Sequence, residues 1–256
     1  MNKKRLFAVF FVFSMSCILH ARPPKDYHLV WSDDFTETVL DTTSWSFDIG
    51  DNGWGNNEKQ YYTENKNVEI KGGFLSIIAR KEVKRYTSAR IVTKGKRAFT
   101  YGYVEIRAKL PHGIGTWPAI WMLGENISKT GWPGCGELDI MEHVGKHSGY
   151  IHCSVHNPAG YGETPFTGIV QIDRLFDTFH LYALEWTKEK INFLVDGKSV
   201  YEYAPTCKTD DNWPFDKPMF FIFNIAVGGN WGGPVIDDTI FPQRMTIDYI
   251  RVYQKK

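Results

Sequence analysis

Apolar residues in this chain recur at every second position or in short unbroken runs. Beyond residue 21 no stretch of a dozen residues repeats with the 3.6 period of an amphipathic helix. A helical bundle is thereby excluded, and strands are left as the building element. Tyr101–Leu110 shows the pattern most clearly. Tyr103, Glu105, Arg107 and Lys109 fall on one face, and Val104, Ile106, Ala108 and Leu110 on the other. Gly73–Ala79 is a short apolar run after a Gly-Gly turn. Lys190–Val195 leads through Asp196-Gly197, a hairpin turn signal, into Lys198–Tyr203. Phe220–Val227 is a further apolar run, and Met245–Tyr253 closes the chain with alternation. Only Asp173–Asp177 hints at a helical turn. Gly, Pro, Asn and Asp clusters separate the runs, and no repeat or low-complexity linker divides the chain. The expectation is all-β: a sandwich of two antiparallel sheets, which 256 residues fill as one domain.

The first residues read as an export signal. Lys3, Lys4 and Arg5 precede an almost wholly apolar Leu6–Leu19, and Ala21 offers a small residue for cleavage. The apolar stretch is shorter than the ~20 residues of a spanning helix, so a secreted or periplasmic domain over 22–256 is expected. Ser16-Cys17 makes a weak lipobox, and cleavage there would leave a lipid anchor on Cys17 instead. Removing residues 1–21 takes three basic groups and moves the net charge from +1 to −2. A near-neutral chain without a basic stripe argues against nucleic acid and suits an uncharged partner. Cys135, Cys153 and Cys207 remain, an odd number that rules out a full disulfide framework. Their spacing matches no zinc pattern, which favours small buried residues.

The chemistry concentrates in Gly136-Glu137-Leu138-Asp139-Ile140-Met141-Glu142-His143. On a strand, Glu137 and Asp139 share a face, with Leu138 and Ile140 on the other. Strict alternation would send Glu142 inward, where a lone charge is costly. A bulge at Ile140-Met141 would return it to the acidic face. Three acids on one face repel one another and raise at least one pKa. A retaining glycosidase needs that division, with one carboxylate attacking and one carboxylic acid protonating the leaving oxygen. Taken alone, such a strand is also compatible with a solvated face or a cation site. The nine Trp and thirteen Tyr bear on the choice, because many lie beside Gly, Pro or Asn, where exposed rings can stack on sugars.

Glu137-Leu138-Asp139-Ile140-Met141-Glu142 resembles the E-x-D-x-x-E signature of glycoside hydrolase family 16, in its bulged, laminarinase-like form. Asn56-Asn57-Glu58-Lys59-Gln60-Tyr61-Tyr62-Thr63 is similar to a segment of that group. So are Gly115–Leu123, Phe223–Trp231 and Asp248–Tyr253, and the likeness runs from about Leu29 to Tyr253. The resemblance implies a β-jelly roll with a concave substrate cleft and hydrolysis of β-1,3 or mixed-linkage β-1,3/1,4-glucan by a monomer. It implies Glu137 as nucleophile, Glu142 as acid/base and Asp139 as the assisting acid. Trp117 and Trp121 would line donor subsites beside the acids, His156 would face the cleft, and Asn57 and Trp231 would stand at its rim. Trp54 and Trp132, in glycine-rich loops, are open candidates for the same rim. Trp31 and Trp186 read as core, and His143, His152 and His180 have weaker claims. No cofactor is implied for the chemistry. Many family members carry a structural Ca²⁺, for which the matching positions are Asp34, Gly73 and Asp248, although turn capping by the aspartates is an equal reading. A hydrolase of another polysaccharide, such as agarose or carrageenan, and a non-catalytic glucan-binding protein are the rival readings.

Overall fold

The computed structural model describes residues 23–256. The export signal and Cys17 lie outside the described residues. The strands are β1 (Tyr27–Asp33), β2 (Ser46–Phe47), β3 (Gln60–Tyr62), β4 (Val68–Lys71), β5 (Phe74–Lys81), β6 (Tyr86–Ser88), β7 (Arg90–Val92), β8 (Gly102–Lys109) and β9 (Thr116–Gly124). They continue as β10 (Glu137–Glu142), β11 (Tyr150–His156), β12 (Thr167–Gln171), β13 (His180–Trp186), β14 (Ile191–Val195), β15 (Lys198–Tyr203), β16 (Met219–Val227) and β17 (Gln243–Lys255). Each expected run is thus a strand, displaced by a residue or two at its ends. The turn at Asp196-Gly197 has both residues at positive φ, 49° and 77°, which matches the twist of the strands it joins.

One sheet has seven strands in the order β12-β11-β10-β9-β16-β7-β2. The other has ten, along the path β15-β14-β13-β8-β17-β5-β6-β3, with β1 on β17 and β4 on β5. The core lies between them. Leu138, Met122, Phe221, Phe223 and Ile225 of the first sheet meet Val104, Ile106, Leu184, Ile247 and Leu75 of the second, all at 2% exposure or less. Alternation sends every second side chain inward, so two such faces make one apolar layer. All nine residues of β16 are buried, which explains an apolar sequence interrupted only by Asn224. Its inner face meets the core. Its outer end is crossed by the segment before β3, where Lys59 N–H donates to the Val227 carbonyl at 2.9 Å.

The expected wet face of β8 is drier than its sequence implies. Glu105 is 5% exposed and accepts from the Tyr253 hydroxyl at 3.2 Å. The helical turn at Asp173–Asp177 is a simple turn instead. Arg174 sits at φ 57°, and a left-handed residue there stops a right-handed helix from propagating. Two one-turn helices, α1 (Ile127–Thr130) and α2 (Gly229–Gly232), are too short to leave a periodic signal. Trp186 is core, and Trp31 packs on it between Trp45, Phe99 and Phe221. Cys135 and Cys153 are buried and Cys207 is exposed, all three as free thiols. Among the described residues no helix is long and apolar enough to cross a membrane.

Candidate active site

The acid strand β10 carries the expected irregularity. Against β9, Asp139 pairs with Trp121 but Met141 pairs with Ile120, so Ile140 has no opposite number. Against β11, Asp139 pairs with Ser154 and the next pair is Glu142 with His152, again one residue extra on β10. An extra residue shifts the pleat by one and exchanges the faces beyond it. Leu138, Ile140 and Met141 are therefore fully buried in the core. Glu137, Asp139 and Glu142 all stand on the outer face of the seven-stranded sheet.

Each carboxyl has its own partners. Glu137 Oε2 accepts the indole N–H of Trp132 at 2.8 Å, and Glu142 Oε1 accepts that of Trp117 at 2.9 Å. Between them, Asp139 is 2% exposed, and its Oδ2 lies 3.0 Å from His156 Nε2. The same nitrogen is 3.8 Å from Glu137 Oε1. These contacts follow from register: Glu137 and His156 face each other across the β10–β11 pair. Burial pushes the pKa of all three carboxyls up to about 8, and the neighbouring negative charges add to the rise for Glu137 and Glu142. The indole bonds and His156 pull Glu137 and Glu142 back down. Near neutral pH the cluster therefore holds protons.

A floor of aromatic and amide groups extends along β9 and β16. Trp121 donates its indole N–H to Asn224 Oδ1 at 2.8 Å, and the Arg90 guanidinium lies over its ring, 4.8 Å from the centroid. On another side Arg90 stands 4.9 Å from the ring centroid of Trp54. Trp231 meets Trp117 edge to face at 5.5 Å and His152 at 4.8 Å. Asn57 adopts φ 55°, a left-handed value that asparagine tolerates, and its amide donates to Asn230 Oδ1 at 2.8 Å. That bond joins the loop before β3 to the α2 turn carrying Trp231. Gly229 completes the junction, since a Cβ there would come within 2.8 Å of the Asn56 carbonyl oxygen. Beyond Glu137, Trp132 stands edge to face with the exposed Tyr161 at 5.3 Å.

Every residue expected at the cleft lies on or beside this face. Glu58, Tyr62, Arg90, Tyr161 and Asn224 join them there, with no local pattern that marks them in the sequence. His152, two residues before Ser154 and four before His156 on β11, also stands on the acid face. His143 and His180 serve the scaffold: His143 Nδ1 contacts the Tyr150 carbonyl, and His180 Nδ1 contacts Asp196.

The segments expected to hold Ca²⁺ do converge on β17. The end of β1 pairs Asp33 with Ile250, and β5 begins opposite Ile247, so Asp34 and Gly73 both approach Asp248. The side chains, however, are engaged elsewhere. Asp34 accepts from Arg251 at 2.7 Å, and Asp248 forms a short ion pair with Arg107. Two carboxylates each neutralised by a guanidinium do not form an oxygen cage for a dication. Among the described residues, the one group of three acidic, His or Cys side chains close enough to share an ion is Glu137, Asp139 and His156, all within 4.8 Å.

Two carboxyls held by indoles, with a third between them on the open face of a β-sandwich, form the constellation of a glycoside hydrolase. The chain belongs to glycosyl hydrolases family 16, whose family model matches residues 55–251. It is 45% identical over 245 residues to the β-glucanase of Rhodothermus marinus, covering 89% of this chain and 85% of that protein. The fold superimposes on the laminarinase from Flavobacterium sp. UMI-01 with a TM-score of 0.87 at 52% identity, over 89% of this chain and 100% of that one. For the laminarinase catalytic domain from Thermotoga maritima MSB8 the TM-score is 0.84 at 41% identity, over 91% and 100%. The fold is accordingly a jelly roll.

Proposed function

We propose that this chain is a secreted, monomeric, retaining endo-β-glucanase cutting β-1,3 or mixed β-1,3/1,4-glucan, with residues 22–256 as its one catalytic domain. The observation that carries the reading is the register slip at Ile140, which sets Glu137, Asp139 and Glu142 on one face with an indole bonded to each glutamate. Glu137, as the carboxylate, attacks the anomeric carbon and forms a covalent glycosyl–enzyme. Glu142, as the acid, protonates the departing glycosidic oxygen. It then takes a proton from the water that releases the sugar. Asp139 assists Glu137, and His156 faces the cleft beside both acids. Trp117, Trp121 and Trp231 offer ring faces to pyranose C–H surfaces, and Asn57 stands at the rim. Laminarinases and a β-glucanase among the similar proteins support the substrate class.

The test is a panel of laminarin, lichenan, barley glucan and agarose, with the anomer of the first product followed by NMR. Cleavage of a β-glucan with retained configuration is expected. Inverted configuration would end the double-displacement reading, and action on agarose alone would replace the substrate. A glucan-binding protein without activity would leave no new reducing ends at all.

A further inference from the structure

We propose that Glu58 is a positioning residue that sets the orientation of Trp121, acting through Tyr62 and Asn224. The inference rests on reading Trp121 as a sugar platform, and it adds a control for that platform from the segment that crosses the outer side of β16.

Four hydrogen bonds form an unbroken line. Trp121 Nε1–H donates to Asn224 Oδ1 at 2.8 Å, and Asn224 Nδ2 donates to the Tyr62 hydroxyl at 3.0 Å. Tyr62 donates to Glu58 Oε2 at 3.0 Å, and Gln60 Nε2 donates to the same oxygen at 2.6 Å. Behind Gln60, the Val227 backbone N–H donates to Gln60 Oε1 at 2.7 Å. The two outer groups, an indole N–H and a backbone N–H, can only donate. Their directions propagate inward through amides and a hydroxyl, each of which must accept on one side and donate on the other. The two donor chains therefore meet head-on at Glu58 Oε2, and only an oxygen bearing no hydrogen can stand at that junction. Glu58 is 9% exposed, so water does not replace it there.

With the junction oxygen missing, the Tyr62 hydroxyl has no acceptor beneath it. It can then turn its hydrogen on Asn224, whose amide flips to accept, and the Asn224 NH₂ comes to face the Trp121 N–H. Two donors in contact repel, and the indole leaves its seat. The seat matters because Arg90 already covers one face of the ring, 4.8 Å from its centroid. A displaced indole loses that cation–π contact and the orientation of its free face together. Glu58 therefore acts on the cleft through Tyr62 and Asn224.

The experiment compares wild type with Glu58→Leu, Glu58→Gln and Tyr62→Phe, reading KM and kcat on laminarin and the exchange rate of the Trp121 indole proton by NMR, assigned with Trp121→Phe. Glu58→Leu is expected to raise KM about five- to tenfold with kcat changed less than about twofold, and to speed indole exchange, whereas Tyr62→Phe, with no hydroxyl to turn on Asn224, is expected to change both less. Glu58→Gln, whose amide oxygen can stand at the junction, is expected to rescue both readouts. In a Trp121→Phe background, Glu58→Leu should add nothing to KM. The inference is overturned by an additive effect in that background, by indole exchange unchanged in Glu58→Leu, or by a Tyr62→Phe effect on exchange larger than that of Glu58→Leu. Absence of any glucan cleavage by wild type would refute the catalytic reading instead, and the indole exchange would still decide the positioning role.

Discussion

The indole N–H of Trp132 reaches Glu137 at 2.8 Å from a loop outside the acid strand, and Trp117 makes the matching bond to Glu142 at 2.9 Å from within β9. Both bonds favour the ionised carboxyl. Losing either one raises the pKa of the group it served, but the consequences differ because the two glutamates work in opposite states. In Trp132→Phe, Glu137 becomes a carboxylate only at higher pH. The acidic limb of the kcat/KM profile moves up, with activity near pH 5 falling about three- to tenfold relative to the optimum. In Trp117→Phe, Glu142 keeps its proton to higher pH, so the alkaline limb moves up instead. A pH–rate series on the two variants checks both directions, and exchange of the two limbs between them would exchange the assigned roles.

Glu137→Gln and Glu142→Gln should each lower hydrolysis by at least about a thousandfold. Circular dichroism and the melting temperature should show the fold retained, because each amide can still accept the indole bond. Activity near wild type in either variant would remove that residue from the mechanism.

Stability should fall as pH rises across the neutral range. Glu137, Asp139 and Glu142 have folded pKa values of about 8, above those of free carboxyls, so the folded state binds more protons than the unfolded one. Their contribution is complete below the unfolded carboxyl range and is lost as pH climbs through about 8. His152, lowered to about 4 by burial and by nearby histidines, acts in the opposite sense and only below the ordinary histidine range. Between pH 6.5 and 8.5 the carboxyls therefore dominate, and Tm should drop. Asp139→Asn should flatten that slope and raise Tm at pH 8 by about 2–5 °C. Calorimetry across pH gives the answer, and a Tm that rises from pH 6.5 to 8.5 would contradict the burial of the cluster.

Thiol reactivity follows burial. In a chain beginning at residue 22, one of three cysteines, Cys207, should react promptly with a thiol reagent under native conditions. Cys135 and Cys153 should react only on unfolding. Prompt reaction of two or more thiols would place Cys135 or Cys153 at the surface.

What the sequence made legible was whatever repeats over a few residues. The alternation of Tyr101–Leu110, the Asp196-Gly197 turn and the misfit of Glu142 against strict alternation each carry a local signal, and each is present in the fold. Contacts between distant segments leave no such trace. Tyr62 and Asn224 are 162 positions apart, and nothing in either neighbourhood announces their bond. Asp34 and Asp248 show the same limit from the other side. Register brings their segments together as expected, but whether a carboxylate is available depends on Arg251 and Arg107, whose side-chain directions no local pattern specifies.

The unopposed Ile140 makes the chemistry depend on counting. Deleting that single residue would leave a smoother ladder and a composition almost unchanged, yet Glu142 would rotate toward Phe223 and its apolar neighbours while Glu137 stayed in place. Activity would vanish through arithmetic alone, with every reacting group still encoded.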